Sequence, residues 1–199
     1  TGGLASGKSF VGAILAELGC HVLQADQVGH RLLEPKGAAE AATIEAFGSE
    51  ILEPSGRISR QALAALVFRD PEKLEKLNHI IHPLVFAEEE RFFRQVEEQD
   101  PHGVAVVEAA ILIEAGNHKN FEKIVVTWCP REVQVERAVA RGLSRDEAEA
   151  RIARQMPLDE KLTYADAVVD TSGSKQVTHE RVLALHTQLL HWAQKNRSA

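Results

Sequence analysis

The residues best suited to chemistry lie at the start of the chain, where residues 2–9 read G-G-L-A-S-G-K-S. This run matches G-x-x-x-x-G-K-[ST], the pattern of loops that bind the phosphates of nucleoside triphosphates. Its glycines let backbone N–H groups turn towards phosphate oxygens, and the following helix presents its positive end to them. We expect Lys8 to reach the β- and γ-phosphates and the Ser9 hydroxyl to bind Mg²⁺. The alternative is a flexible glycine-rich segment before an ordinary helix.

Two acidic residues, Asp26 and Glu108, stand at the ends of apolar runs that have the character of strands. In an open α/β sheet, ligands bind at the carboxyl ends of the strands. Phosphoryl transfer uses a carboxylate that takes the proton of the acceptor hydroxyl, and Asp26 is the candidate for this base. Alternatively, Asp26 caps the helix that follows it. Glu108 is a candidate for ordering a Mg²⁺-bound water, and alternatively is a strand-end acid exposed to solvent.

Arginines recur late in the chain at spacings that place them on helical faces. They occupy positions 137, 141, 145, 151 and 154. Such side chains on a mobile lid can close over a nucleotide and stabilise the charge of the transferring group. The alternative is a solvated surface with ion pairs such as Glu147–Arg151. Spacing alone leaves both interpretations open.

The elements that must position these side chains alternate between helices and strands. After the loop, Val11, Ile14, Leu15 and Leu18 have helical spacing, and Gly19 is placed to end that helix. Apolar runs predict strands near residues 20–25, 103–108, 123–129 and 167–170. Nearly continuous apolar strands separated by helices are typical of a parallel sheet that is covered on both faces.

Residues 37–99 predict helices rather than strands. A short helix capped by Ser59 and a longer helix capped by Asp70 are expected. Pro83 lies inside the apolar pattern of the longer helix and is expected to break or kink it near His82. The segment is therefore predicted to be a helical insertion between two strands.

A phosphate-binding loop normally follows a buried strand, but this sequence opens at Thr1 directly before the loop. In this fold the strand in question would be the centre of the sheet. We therefore expect that residues upstream of Thr1 exist in the natural protein and supply it.

Composition narrows the class of protein. A chain of 199 residues with 44% hydrophobic content fits one globular domain. No apolar run approaches the roughly 18 residues of a membrane-spanning helix. The net charge of −6 argues against nucleic acid as a partner. Cys20 and Cys129 lie in apolar surroundings without metal-ligand spacing, which predicts buried reduced thiols and a cytoplasmic protein.

The order and spacing of several motifs resemble those of the dephospho-CoA kinase family. The family's T-G-G-I-G-S-G-K-S-T, D-A-D, P-L-L-F-E, R-I-x-x-Q-M and N-S-G-S motifs correspond to residues 1–10, 24–26, 110–114, 151–156 and 171–174. Features of its helical insertion correspond to Phe47-Gly48, residues 56–60, Val67-Phe68 and His82-Pro83. The resemblance runs from Thr1 to about Leu189.

The resemblance implies an α/β fold of the P-loop kinase type, with three α/β/α layers, a parallel sheet, a helical substrate-binding insertion and an arginine-bearing lid. The single domain would have its core at about residues 1–36, 100–140 and 158–199, its insertion at 37–99 and its lid at 141–157. The implied reaction is ATP-dependent phosphorylation of the ribose 3′-hydroxyl of dephospho-CoA, the last step of coenzyme A synthesis. The implied partners are ATP and dephospho-CoA, with no nucleic acid or membrane, and the implied state is a monomer or small homo-oligomer.

The resemblance also implies roles for individual residues. The catalytic set is Asp26, Lys8, Arg137 and Arg141. The ATP-binding set is Gly3, Leu4, Ala5, Ser6, Gly7, Lys8, Ser9, Phe10, Arg141, Ser172 and Gly173. The substrate-binding set is Thr1, Asp26, His30, Arg60, Phe68, His82, Leu112 and Glu114. Mg²⁺ would be bound by Ser9 and, through water, by Glu108.

The chain departs from the family pattern at Ala5, Phe10, Gln24, Ala110 and Thr171. Ala5 stands where the family has glycine, Gln24 removes the first acid of the D-A-D motif, and Thr171 replaces an asparagine expected near adenine. A kinase for nucleosides or other small metabolites is the alternative in the same class. A nucleotide-dependent switch is disfavoured, because D-x-x-G at residues 26–29 comes too soon after Lys8 and no N-K-x-D is present.

Overall fold

The computed structural model describes residues 1–196 and shows an α/β protein in which helices predominate. Its helices are α1 (Lys8–Glu17), α2 (Ala25–Leu32), α3 (Glu40–Phe47), α4 (Arg60–Phe68), α5 (Pro71–Gln99), α6 (Arg131–Ala140), α7 (Arg145–Ile152), α8 (Leu158–Lys161) and α9 (Lys175–Asn196). Its strands are β1 (His21–Gln24), β2 (Ala105–Glu108), β3 (Val125–Trp128) and β4 (Ala167–Asp170). Short 3₁₀ helices occupy Ser49–Ile51, Asn117–Asn120 and Leu162–Tyr164. Residues 197–199 of the predicted core lie outside the described part.

The four strands form two pairs. β3 and β4 are parallel, with Val125 opposite Ala167, and β1 pairs with β2. Within residues 1–196 the two pairs are separate sheets, so the sheet is less continuous than predicted. Gly2 forms a parallel bridge with Thr127, whose N–H donates to the Thr1 carbonyl at 2.8 Å. The phosphate-binding loop therefore starts beside β3, and the strand expected before Thr1 stays a prediction.

One core cluster joins α1, β4 and α9. Ile14 and Leu15 of α1 are each 3% exposed, Val169 of β4 is 2% exposed, and Val182 and Leu185 of α9 are 0% and 5% exposed. The spacing of the apolar residues of α1 predicted the helix, because residues three and four apart share one face of a helix. Burial of these side chains anchors the first turn of α1, where the loop ends.

Contacts divide the chain into two compact units. The first comprises Thr1–Leu23 and Val96–Ala199, and the second comprises Gln24–Gln95. The first unit contains the loop and strands β2, β3 and β4, whereas the second contains α2, α3, α4 and most of α5. The predicted helical insertion falls almost wholly in the second unit.

The helix boundaries of the second unit follow the predicted caps, but the helix break that was one of the two outcomes predicted at Pro83 is absent. The side chains of Ser59 and Asp70 accept backbone N–H bonds at 3.3 and 3.0 Å in the first turns of α4 and α5. Pro83 does not break α5, which runs without interruption from Pro71 to Gln99. A proline inside a helix costs about 3 kcal/mol, but burial of apolar side chains that follow it in α5, such as Val85 and Val96, offsets this cost.

Two expectations drawn from composition can be compared with the structure. Cys20 and Cys129 are free and buried, as predicted, and burial raises the pKa of both thiols. Among residues 1–196, none of the helices has the length and apolar character needed to cross a membrane.

Candidate active site

The phosphate-binding loop is closed by its own lysine. The Lys8 ammonium donates to the Gly3 carbonyl at 2.9 Å, across the loop. Gly7 is the N-cap of α1 with a φ of 91°, in the left-handed region that favours glycine. A Cβ at Gly7 would lie 2.9 Å from the Thr171 methyl carbon, so any side chain there would also clash. The predicted loop thus forms, with Lys8 and the start of α1 at its end.

Ala5 adopts a left-handed conformation with a φ of 55°, which explains why the family pattern has glycine at this position. For an L-residue this conformation costs about 1–2 kcal/mol. The methyl group is buried with Val135, Ala138 and Ile152, and burying a methyl group returns about 0.8 kcal/mol. The replacement of glycine therefore leaves the turn of the loop intact.

Ser9 and Glu108 lie together at the end of the loop. The Ser9 hydroxyl donates to Glu108 Oε1 at 2.6 Å. Gly12, in the next turn of α1, leaves room for this carboxylate, because a Cβ there would lie 3.2 Å from Glu108 Oε2. Glu108 is half-buried and accepts this hydrogen bond, which favours the metal-site interpretation over a strand-end acid exposed to solvent.

This pair of oxygen donors fits Mg²⁺. Protein sites for Mg²⁺ usually supply one or two side-chain oxygens, and substrate phosphates and water complete the coordination. A hydroxyl and a carboxylate within hydrogen-bonding distance of each other meet that requirement. The described part of the chain has no cluster of three or more His, Cys, Asp or Glu residues that would suit a metal held by protein alone.

Thr171 and Arg137 support the loop from behind. The Thr171 hydroxyl donates to the Ser6 carbonyl at 2.9 Å and accepts from Arg137 Nη1 at 3.0 Å. The other guanidinium nitrogen of Arg137 donates to the Thr171 carbonyl. The Ser6 hydroxyl is also hydrogen-bonded to the Thr127 hydroxyl, at 2.8 Å. In this structure Arg137, predicted to act on the transferring charge, binds backbone and side-chain oxygens around the loop.

Two glutamines hold the Leu4 peptide group of the loop. The Leu4 N–H donates to Gln155 Oε1 at 2.7 Å, and Gln134 Nε2 donates to the Leu4 carbonyl at 2.6 Å. Sequence reasoning missed Gln134, which is 4% exposed on α6. The available signal was its position four residues before the buried Ala138, on the apolar face of the helix.

The other arginines of the predicted lid are placed near the surface. Arg141 is exposed at the C-terminus of α6, and Arg145 pairs with Glu149 at 3.0 Å. Glu147 completes a capping box with Ser144, which the S-x-x-E pattern of residues 144–147 is typical of. Hydrogen bonds from Ser144, together with the nearby Arg151, lower the pKa of Glu147.

The remaining residues predicted to bind ATP lie in the first turn of α1 and directly after β4. Phe10 is 36% exposed, with the Lys175 ammonium 5.9 Å from its ring centroid. Ser172 and Gly173 are exposed after β4, where the Ser172 N–H donates to Asp170 Oδ1 at 2.8 Å. These side chains and backbone groups are accessible to a ligand.

The substrate-binding residues predicted in the first unit have different environments. Thr1 lies beside β3, where its carbonyl accepts from the Thr127 N–H. The Leu112 side chain is buried at 5% exposure, and its carbonyl accepts from the N–H groups of Asn117 and His118. Glu114 forms an ion pair with Lys161 at 2.9 Å. Lys161, with 0% exposure, is a second residue that sequence reasoning missed.

Asp26 is exposed in the first turn of α2. The N-cap of this helix is Gln24, so the alternative interpretation of Asp26 as the cap is wrong. His30 is exposed in the last turn of the same helix. Asp26 is therefore a solvent-accessible carboxylate that the fold of α2 does not require as a cap.

The other predicted substrate residues of the second unit lie on α4 and α5. Arg60 is exposed at the first position of α4, and Phe68 is 38% exposed at its last position. The half-buried His82 ring stacks on Phe86 with the ring centroids 5.8 Å apart. Burial lowers the pKa of His82, and the nearby His79 lowers it further.

A family model described as dephospho-CoA kinase matches residues 1–176. The chain belongs to the dephospho-CoA kinase family. Its curated relatives include the dephospho-CoA kinase of Aquifex aeolicus, 38% identical over 189 residues that cover 95% of each chain. That of Carboxydothermus hydrogenoformans is 41% identical over 201 residues, covering all of this chain and 95% of the relative.

Solved structures agree with the fold. The crystal structure of TT1252 from Thermus thermophilus is 32% identical, covers 94% of both chains and has a TM-score of 0.78. The dephospho-CoA kinase from Campylobacter jejuni has a TM-score of 0.70 at 24% identity, over 96% of this chain and 94% of that one. At that identity the second match shows the fold alone.

Thr171 departs from the dephospho-CoA kinase pattern, and we expect its hydroxyl to stabilise the loop. Thr171→Val keeps the shape of the 2%-exposed side chain but removes the hydroxyl. Because Ser6 and Arg137 would each lose a partner, the free energy of unfolding should fall by about 1–3 kcal/mol. Urea denaturation measures this change. Thr171→Ser, which keeps the hydroxyl, should lose less, and equal stability of the valine variant and the wild type would contradict the prediction.

Proposed function

We propose that this chain transfers the γ-phosphoryl group of ATP to the ribose 3′-hydroxyl of dephospho-CoA, giving coenzyme A and ADP. Membership of the dephospho-CoA kinase family supports both substrates and the reaction. The structural observation that carries the proposal is the loop itself, with Lys8 folded across it and Ser9 against Glu108.

On this proposal the loop and the first turn of α1 bind the ATP phosphates. The backbone N–H groups of Ala5, Gly7 and Ser9 would contact an anion at little cost, because folding has already fixed their positions. The N–H groups of Leu4, Ser6 and Phe10 already have acceptors in the protein. Lys8 would exchange its bond to the Gly3 carbonyl for the β- and γ-phosphates. The supports behind the loop hold these groups in place before ATP arrives, so little reorganisation accompanies transfer.

Ser9 would contribute a direct ligand to Mg²⁺, and Glu108 would bind through water. Bound at this position, the ion would neutralise charge between the β- and γ-phosphates. Glu108 already accepts a hydrogen bond from the Ser9 hydroxyl, with the two oxygens 2.6 Å apart, and this bond orients the hydroxyl. The half-buried carboxylate would thus serve Ser9 as well as the ion.

Asp26 is proposed as the base that takes the proton of the 3′-hydroxyl. Its exposed carboxylate, at the end of β1 and not used as a helix cap, supports this role. The family resemblance further supports an acceptor site that includes Thr1, His30, Leu112 and Glu114. The same resemblance adds residues of the proposed insertion at 37–99, namely Arg60, Phe68 and His82.

Arg141 and Arg137 are proposed to stabilise nucleotide or transition-state charge, with residues 141–157 as a lid. The exposed guanidinium of Arg141 at the end of α6 supports its role. To contact the nucleotide, Arg137 would have to break its hydrogen bonds to Thr171. Its first proposed role is therefore to support the loop. Ser172 and Gly173, exposed after β4, would contact the nucleotide.

An acceptor assay tests the proposed reaction. With Mg²⁺ and ATP, purified protein should form ADP in proportion to added dephospho-CoA, and mass spectrometry should find one new phosphate on the product. Nucleosides and other small hydroxyl metabolites serve as competing acceptors. Turnover with one of these in place of dephospho-CoA would favour the alternative kinase, and no acceptor-dependent ADP would contradict both.

We further propose that the protein is cytoplasmic and is a monomer or small homo-oligomer. Size-exclusion chromatography with light scattering tests the oligomeric state.

A further inference from the structure

Lys161 is a buried cation for which the proposed reaction has no direct use. It ends α8, and its side chain has 0% exposure. A charge in such a place is costly unless it is paired and hydrogen-bonded. Its ammonium group donates to the Ala110 carbonyl at 2.7 Å and lies 2.9 and 3.0 Å from the two carboxylate oxygens of Glu114. Three acceptors therefore surround its three protons.

These contacts fasten both ends of residues 110–114, the segment that follows β2. Ala110 is held through its carbonyl and Glu114 through its carboxylate, so one ammonium group spans the segment. Glu114 Oε1 also accepts the Met156 N–H at 3.0 Å. Its side chain retains 23% exposure, and without the lysine it could turn to solvent.

The same network continues to the phosphate-binding loop. Gln155, adjacent to Met156, accepts the Leu4 N–H at 2.7 Å. The loop has further supports that do not involve Lys161, from Gln134, Thr171 and Arg137. Loss of Lys161 should therefore loosen residues 110–114 much more than the loop.

We propose that Lys161 is a positioning residue that fixes residues 110–114 for the acceptor substrate, acting through Glu114. The proposal rests on the proposed function, which places Leu112 and Glu114 at dephospho-CoA. Charge neutralisation alone would explain a lysine that pairs with Glu114, but not one that also holds the Ala110 carbonyl. The segment is held at both ends, as positioning of a binding segment requires.

Lys161→Met tests the proposal, because methionine keeps much of the length and apolar stem but no charge or donor. We expect the KM for dephospho-CoA to rise by about tenfold or more, while the KM for ATP stays within about threefold. Lys119→Met, at an exposed lysine of the connection between β2 and β3, is the matched control and should leave both constants unchanged. An unchanged KM for dephospho-CoA in Lys161→Met overturns the proposal.

A double-variant cycle tests the path through Glu114. If Lys161 acts mainly through Glu114, Lys161→Met should raise the KM by a clearly smaller factor in a Glu114→Gln background, where only the contact with the Ala110 carbonyl is left to lose. The double variant leaves no unpaired buried charge, so it also remains informative where Lys161→Met alone folds poorly. If the effects of Lys161→Met and Glu114→Gln on the KM are fully additive, Lys161 does not act through Glu114. If Lys161→Met lowers kcat and stability in urea without any change in KM, the lysine is purely structural. Absence of dephospho-CoA-dependent turnover in the wild type would instead overturn the proposed function.

Discussion

Lys8→Ala should lower kcat/KM for ATP by about 10³-fold, the scale seen when a preorganised group that stabilises transition-state charge is removed. Lys8 closes the loop through the Gly3 carbonyl, at 2.9 Å, and lies in the first turn of α1. As charge moves on the transferring group, the ammonium should bind it more tightly than it binds ATP in the ground state. Steady-state kinetics with saturating dephospho-CoA measure the loss.

The affinity for ADP separates this effect from damage to the loop. We expect ADP binding, measured by calorimetry, to weaken far less than kcat/KM, because ADP lacks the transferring group. Lys119→Ala removes an exposed lysine outside the proposed site and should have wild-type kinetics. An unchanged kcat/KM in Lys8→Ala would refute the phosphate role, whereas equal losses in ADP affinity and kcat/KM would indicate a collapsed loop.

Asp26→Asn should lower kcat by a factor on the order of 10²–10⁴, the usual contribution of a general base. Asparagine has nearly the same shape but cannot accept the proton of the 3′-hydroxyl at neutral pH. Because Asp26 is exposed and Gln24 is the N-cap of α2, the substitution should leave the fold intact. Rapid-quench measurement of a single turnover follows the transfer step directly.

The matched control for Asp26→Asn is Glu72→Gln. Glu72 is also exposed in the first turn of a helix, so the change removes the same favourable interaction with the helix dipole, worth about 0.3–1 kcal/mol. The control should keep wild-type turnover with a similar loss of stability. Turnover close to wild type in Asp26→Asn would leave Asp26 without a role as base.

Local patterns predicted most elements of this chain. The α1 face of Ile14 and Leu15, the Ser59 cap and the Ser144 capping box depend on residues within one or two turns of each other, so the sequence contains all the information needed. Pro83 is the exception, since the balance between a lost hydrogen bond and packing along α5 depends on contacts distant in sequence.

The residues of the candidate site also differ in whether local sequence patterns could identify them. The loop motif at residues 2–9 could be identified directly, and so could the carboxylates at residues 26 and 108. The polar residues that support the loop and residues 110–114 could not, because Thr171, Gln134 and Lys161 act on partners at sequence separations of 165, 130 and 51. Polar residues of this kind look like ordinary surface positions until the fold buries them.

The sequence by itself determined the chemistry of residues 2–9, because glycine spacing, a lysine and a hydroxyl specify how a short loop can bind phosphate. It also determined the family, through motifs in a fixed order. Only the tertiary structure decided that Ala5 fits the left-handed position and that Arg137 lies behind the loop. It also decided that a buried lysine fastens residues 110–114, since burial and hydrogen-bond partners are properties of the packed chain.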